Sequence, residues 1–125
     1  MSEVNSYRDL QVWQKAMDIA VTCYDPTRDF PKSEVYGMAS QIRRASVAIA
    51  ANIAEGYGRD STGSFVNFLK IAQGSLKELE THFLLCARVG LAPEEQIAPV
   101  LQQCDELGRM LRAFIRSIQR SAEEA

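Results

Sequence analysis

The sequence contains a single histidine, His82, and three cysteines without a Cys-x-x-Cys pair. Di-iron helical bundles need a Glu-x-x-His motif on each of two helices, so one histidine cannot build such a centre. The sequence also lacks a Gly-x-Ser-x-Gly motif, and no Lys-Ser or Lys-Thr follows the Gly56-Tyr57-Gly58 segment as in a phosphate-binding loop. We therefore expect a protein that is not an enzyme, with no catalytic residue, metal, cofactor or small-molecule substrate.

His82 leaves one metal-binding alternative. Glu78, His82 and Cys86 follow each other at four-residue steps, so they share one face of a helix and form an imaginable ligand trio. The interpretation that we favour is an exposed or half-buried histidine beside core positions.

Long apolar runs and a strong excess of one charge are also missing. No run approaches the roughly 20 apolar residues of a membrane span, and the beginning of the chain lacks the basic-then-apolar layout of a secretory signal. The formal net charge is −2, which does not favour nucleic acid or an anionic membrane as a partner. Cys23, Cys86 and Cys104 occupy apolar positions of helical patterns, as expected of free buried thiols in a reducing compartment. We expect a cytoplasmic protein that does not bind membranes.

What the sequence does contain is helical periodicity. Apolar residues recur at spacings of three and four in four segments, which Pro and Gly separate, at about residues 9–28, 32–57, 61–89 and 93–121. Nothing alternates as a strand does. Short connections between long amphipathic helices favour antiparallel neighbours. The 125 residues therefore predict one all-α domain, an antiparallel up-down four-helix bundle.

Local signals mark where the helices begin and end. Asp9 is the predicted N-cap of the first helix, and Asp60 or Ser61 that of the third. Gly90 is a predicted left-handed stop, and the chain should fray from about Ser121. The predicted core face of the first helix comprises Leu10, Trp13, Met17, Ala20 and Tyr24; that of the second begins with Val35 and Met38.

The second helix carries an unusual residue in its predicted core face, which reads Ile42, Ala45, Ile49, Asn52, Gly56. A buried amide needs hydrogen-bond partners. In one interpretation Asn52 pairs with Asn67 across the hairpin and fixes the register of the helices. In the other, the segment 52–56 is a contact surface for a partner. We favour the first.

Two basic clusters are candidate nucleic-acid contacts. Arg109, Arg112, Arg116 and Arg120 form a stripe on the fourth helix, and Arg43 and Arg44 form a pair on the second. A groove for a phosphate backbone needs several cations in register. The alternative, which the acidic balance of the chain favours, is that these arginines complement the helix dipole and solvate an outer face. A ring of identical subunits would turn one stripe into a basic belt.

The apolar faces are wider than an isolated bundle needs, which predicts a homo-oligomer. The apolar residues beside or outside the four predicted faces are Val12, Ile19, Val21, Cys23, Phe65, Val66, Phe68, Leu101, Met110 and Ile115.

Three segments carry a resemblance to a known family: 9–20 (DLQVWQKAMDIA), 46–56 (SVAIAANIAEG) and 72–80 (AQGSLKELE). The chain resembles, from about Tyr7 to Ile118, the bacterial four-helix-bundle proteins first noticed as reading frames in intervening sequences of 23S ribosomal RNA. A related branch contains the accessory variability determinants of diversity-generating retroelements. The chain departs from the usual family pattern at Ala48, where serine is common, and at Ala50, where proline is common.

The resemblance implies a four-helix bundle that assembles into a five-membered ring. For the retroelement branch it implies RNA binding and association with a reverse transcriptase, and for most of the family no established biochemical activity. The acidic balance of this chain favours a stand-alone member and a scaffold or adaptor. The positions that match the family motif, with an expected role in packing, are Ser46, Ile49, Asn52, Ile53, Glu55, Gly56, Ser75 and Glu78.

Overall fold

The computed structural model of the protein describes residues 4–124. This part of the chain forms four α-helices: α1 (Gln11–Arg28), α2 (Met38–Tyr57), α3 (Thr62–Val89) and α4 (Glu94–Glu124). Short 3-10 helices at Tyr7–Asp9 and Lys32–Glu34 precede α1 and α2, and residues 4–124 contain no strand.

Each helix packs against two neighbours, in the cyclic order α1, α2, α3, α4. In the described residues, α1 does not contact α3 and α2 does not contact α4, so these pairs lie diagonally across the bundle. The short connections make sequential helices antiparallel. The predicted all-α four-helix bundle is confirmed.

The ends of the helices differ from the expected ones at three places. The second helix begins at Met38 instead of about residue 32, because a 3-10 helix and a turn follow Pro31. The fourth helix continues to Glu124, three residues beyond its expected end at about residue 121. Asp9 does not cap α1; it accepts hydrogen bonds from the backbone N–H groups of Asn5 and Ser6 and so closes the preceding 3-10 turn.

The residues at the two ends of α3 have the roles expected from the sequence. The Ser61 hydroxyl accepts a hydrogen bond from the Ser64 N–H at 3.1 Å and caps α3. Gly90 has a φ of 79°, the left-handed conformation that ends α3, and its N–H donates to carbonyls in the last turn.

The buried face of α1 is rotated relative to the predicted one. Met17 and Tyr24 are exposed, whereas Ile19 and Cys23 are fully buried. The two interleaved apolar sets both have helical spacing, and the sequence gives no reason to prefer one until the positions of α2 and α4 are known. The residues of α1 that are buried are Val12, Ala16, Ile19, Ala20, Cys23, Pro26 and Thr27.

Asn52 does not pair with Asn67, so that prediction was wrong. Asn67 is exposed, and the half-buried Asn52 amide donates its hydrogen bond to the carbonyl of Ala48, one turn earlier in the same helix, at 2.8 Å. Ile53, the next residue, is fully buried and takes the core position that the pattern assigned to Asn52. The amide therefore lies at the edge of the core.

Gly56 allows α2 and α3 to approach closely. A Cβ at this position would lie 2.6 Å from Cβ of Phe68 and 3.0 Å from Cδ1 of Phe65. The Phe65 ring then packs edge-on against Tyr57 and Phe114, with ring centroids 6.0 Å and 5.8 Å away. This aromatic group ties the α2–α3 turn to α4.

Candidate functional site

The arginine stripe of α4 is exposed along its full length. Arg109, Arg112, Arg116 and Arg120 lie on one face of the helix. Arg109 is paired with Asp105, one turn earlier, at 3.0 Å. Arg112, Arg116 and Arg120 form no ion pair within residues 4–124. Three of the four cations are thus available to an anionic partner.

Arg43 and Arg44 do not join this stripe, because α2 and α4 lie diagonally across the bundle. Arg43 is half-buried: its Nε donates to the Thr27 hydroxyl at 3.0 Å, and its guanidinium lies 4.5 Å from the centroid of the Tyr24 ring. The Thr27 hydroxyl donates in turn to the Cys23 carbonyl at 2.8 Å. Arg43 therefore links α2 to α1 through its side-chain contacts, whereas the neighbouring Arg44 is exposed.

A recess between α3 and α4 adds residues to the stripe that the sequence analysis missed. Its volume is about 400 Å³, it opens to solvent, and its lining comprises Gln73, Gly74, Leu76, Lys77, Gly108 and Arg112. Lys77 Nζ lies 2.9 Å from Glu80 Oε1, a buried oxygen that has no well-aligned hydrogen bond. The sequence signal that could have indicated this recess is the pair Gly74 and Gly108, which lie inside long helices. Glycine destabilises the interior of a helix and is uncommon there without a reason.

An apolar groove runs between α1 and α2. Its volume is about 510 Å³. Its walls carry exposed large side chains, Met17, Val21, Tyr24 and Val47, of which Val21 is 68% exposed and Val47 50%. Four small side chains, Ala20, Ala50, Ala51 and Ala54, form part of the remaining lining, so another helix can approach the backbone there. Tyr7, Trp13 and Arg28 complete the lining.

The outer face of α3 carries a second apolar surface. Leu85 and Val89 lie on one side of the helix, and Leu84 lies on the flank toward α4. Ile71 lies on the same side as Leu85, four turns earlier, with the exposed Glu78 between them. Their exposed fractions reach 62% at Val89. The two apolar surfaces belong to different helices, so one molecule presents two separate faces of this kind.

The family-motif positions divide between the core and the surface. Ser46, Ile49, Ile53 and Gly56 are buried, Asn52 and Ser75 are half-buried, and Glu55 and Glu78 are exposed. The Ser46 hydroxyl donates to the carbonyl of Arg43 at 2.9 Å, which satisfies it inside the core. Four of the six motif positions in α2 are therefore buried.

The histidine and the cysteines show no arrangement for metal binding. His82 Nε2 is buried, has no hydrogen-bond partner and lies 3.7 Å from Glu78 Oε1. Residues 4–124 contain no group of three His, Cys, Asp or Glu side chains placed to hold a metal ion. Burial raises the pKa of Cys23 and of Cys104 to about 12 and that of Cys86 to about 11, so all three thiols are protonated and unreactive at neutral pH. Across the described part of the chain, no helix has the length and apolar character needed to cross a bilayer.

Comparison with known proteins assigns the chain to a family. No curated protein matches it. A solved structure, that of a protein of unknown function from the S23 ribosomal protein family of Bacteroides thetaiotaomicron, is similar to it with a TM-score of 0.77 and 27% sequence identity, over 83% of this chain and 97% of that one. The sequence model of one family, described as 23S rRNA-intervening sequence protein, matches residues 8–113. Since this match covers most of the 125 residues, the chain belongs to the family of 23S rRNA-intervening sequence proteins.

Proposed function

We propose that this protein is a non-enzymatic scaffold or adaptor of the reducing cytoplasm that works as a homo-oligomer, with five subunits in a ring as the expected number. The observation that carries the proposal is the pair of apolar surfaces, the α1/α2 groove and the outer face of α3. Exposed apolar side chains gathered on one surface mark contact sites on soluble proteins, and on α3 they gather at Leu84, Leu85 and Val89. Because the two surfaces differ, they fit a head-to-tail contact in which the α3 face of one copy enters the α1/α2 groove of the next, and such contacts form a ring where the rotation between neighbouring copies closes. The number five rests on the family resemblance.

The test compares the solution mass of the wild type with that of a groove variant, by light scattering at micromolar concentration. Val21→Glu with Val47→Glu places two charges on exposed apolar side chains of the groove, so helicity should persist while the assembly dissociates. Gln102→Glu, an exposed polar position on α4, is the matched control and should keep the wild-type mass. A monomeric wild type contradicts the proposal, and a dimer or tetramer contradicts only the subunit number. An unchanged mass of the double variant contradicts the use of this groove.

A second candidate function is binding of RNA or DNA, since three arginines of α4 that pair with no acidic group of residues 4–124 stand in register on one exposed face. Electrostatic attraction to phosphates makes such binding depend on salt. The double variant Arg112→Glu with Arg116→Glu should weaken binding without loss of helicity, and each lost phosphate contact should reduce the slope of log K against log salt by about one. Absence of binding by the wild type at about 50 mM salt contradicts this candidate.

A further inference from the structure

The recess between α3 and α4 is kept open by two glycines that the packing of the helices does not require. A Cβ added at Gly74 would meet no atom within 4 Å, and one added at Gly108 would touch only Leu76 Cδ2 at 3.7 Å, an ordinary contact. Gly56 is the opposite case, because a Cβ there would lie 2.6 Å from Phe68 Cβ. Glycine inside a helix is less stable than alanine, and no packing contact requires it at Gly74 or Gly108, so the space beside these two glycines is open to a ligand.

The side chains around this space are cationic or polar. Arg112 and Lys77 line the recess from opposite helices, and the amide of Gln73 adds a hydrogen-bond donor. Glu80 pairs with Lys77, which leaves the recess with an excess positive charge from Arg112. A planar guanidinium beside an ammonium and an amide suits an oxyanion of tetrahedral shape, for which arginine supplies paired donors.

Further cations continue the recess in one direction. Lys70 lies two turns before Lys77 on α3, and Arg116 lies one turn after Arg112 on α4; both are exposed. Since the two helices are antiparallel, both steps lead toward the same end of the bundle. The cations therefore form a short track that begins at the recess.

We propose that the α3/α4 recess binds a phosphate group at Arg112, beside the Gln73 amide and Lys77, whose charge Glu80 already offsets, with Gly74 and Gly108 providing the room for the phosphate to approach the helices. The phosphate can belong to a nucleic-acid backbone or to a small phosphorylated compound. In its nucleic-acid form the inference rests on the second candidate function and names the anchoring point on this surface.

The test uses the full-length protein and two probes: single-stranded RNA of 20 nucleotides, followed by fluorescence anisotropy at low salt, and inorganic phosphate, followed by ³¹P line broadening. Gly74→Leu fills the recess with a side chain whose Cβ has free space, and should weaken binding about ten-fold or more. Gly63→Leu is the matched control, because Gly63 lies in the first turn of α3 outside the recess and its Cβ would also meet no atom within 4 Å. Arg112→Gln should weaken binding about ten-fold, which corresponds to about 1.4 kcal/mol, whereas Arg109→Gln, already paired with Asp105, should change it by less than about three-fold.

The outcomes separate the two claims. RNA binding that Gly74→Leu and Arg112→Gln weaken, and the two controls do not, supports the recess as an anchor for nucleic acid. RNA binding that Gly74→Leu leaves at the wild-type affinity overturns the recess but retains the nucleic-acid function. Phosphate broadening that Gly74→Leu removes, without RNA binding, supports the recess and assigns it to small phosphorylated compounds. A wild-type protein that binds neither RNA nor phosphate overturns both the phosphate-binding recess and the nucleic-acid function.

Discussion

Gly56 provides the sharpest test of how α2 and α3 pack. In the variant Gly56→Ala, the new Cβ would lie 2.6 Å from Cβ of Phe68, 3.0 Å from Cδ1 of Phe65 and 3.3 Å from the Phe65 carbonyl oxygen. Carbon atoms in contact need about 3.5–4.0 Å, so the pair of Cβ atoms must separate by about 1 Å. Both atoms are fixed to a helix backbone, and a side-chain rotation cannot relieve the contact. The two helices must therefore move apart.

The expected cost combines two effects of opposite sign. Overpacking in a dense core destabilises by about 1–3 kcal/mol, whereas the change from glycine to alanine inside a helix stabilises by about 1 kcal/mol. The close contact with backbone-fixed atoms puts the overpacking at the upper end of its range, so we expect Gly56→Ala to lower the free energy of unfolding by about 1–2 kcal/mol. At this chain length such a change lowers Tm by roughly 3–10 °C.

The matched control is Gly74→Ala, another helical glycine but with no atom within 4 Å of the added Cβ. It should raise the free energy of unfolding by about 0.5–1 kcal/mol, through helix propensity alone. Urea denaturation followed by circular dichroism at 222 nm measures both variants, at one protein concentration because assembly makes stability depend on concentration. Equal effects of the two substitutions would refute the reasoning, since they differ only in what the methyl group meets.

Three further predictions concern the amide, the thiols and the inter-helix arginine. Asn52→Leu should keep the free energy of unfolding within about 1 kcal/mol of wild type or raise it, because the Asn52 amide bonds only to its own helix. A loss above about 2 kcal/mol in urea denaturation would indicate a second hydrogen-bond partner. An altered mass in light scattering would indicate a contact between copies. Burial raises the pKa of Cys23 and Cys104 to about 12, so above about pH 9 the native state holds thiol protons that the unfolded state loses. The free energy of unfolding should therefore fall as pH rises above about 9, by up to about 1.4 kcal/mol per pH unit for each thiol. A Tm that does not fall between pH 8 and 10.5 would contradict these pKa shifts. Arg43→Lys should lower the free energy of unfolding by about 1–2 kcal/mol, because lysine cannot both donate from a planar group to Thr27 and stack on Tyr24. An unchanged urea midpoint would show that this contact contributes nothing to stability.

The fold could be predicted from the sequence because its signals are local. Apolar spacing and the stops at Gly56–Gly63 and Gly90 depend on residues within a few turns, and they gave the number and order of the helices. The face of α1 could not be predicted. Met17 with Tyr24 and Ile19 with Cys23 have equally good helical spacing, and only the neighbouring helices determine which pair is buried.

Whether a surface feature could be predicted from the sequence depended on whether its residues belong to one helix or to two. The stripe that begins at Arg109 is visible in the sequence because its members belong to one helix. The recess joins Lys77 of α3 to Arg112 of α4, which are far apart in the chain, and its opening depends on the absence of side chains at Gly74 and Gly108. A sequence pattern reports which glycines occur in a helix but not whether a Cβ would meet anything there.

The distribution of surface types bears on how the two proposed functions relate. The apolar groove belongs to α1 and α2, whereas the recess and the stripe belong to the α4 side of the bundle, where Arg112 and Arg116 are exposed. A head-to-tail contact that covers the groove and the outer face of α3 at Ile71 and Val89 would leave the arginines of α4 uncovered on every copy. Repetition of one weak phosphate contact around an assembly raises the overall affinity without any new contact, provided that one ligand reaches several copies. An acidic chain with a net charge of −2 can then bind an anionic polymer, because binding depends on the local row of cations and on its repetition, not on the total charge of the protein.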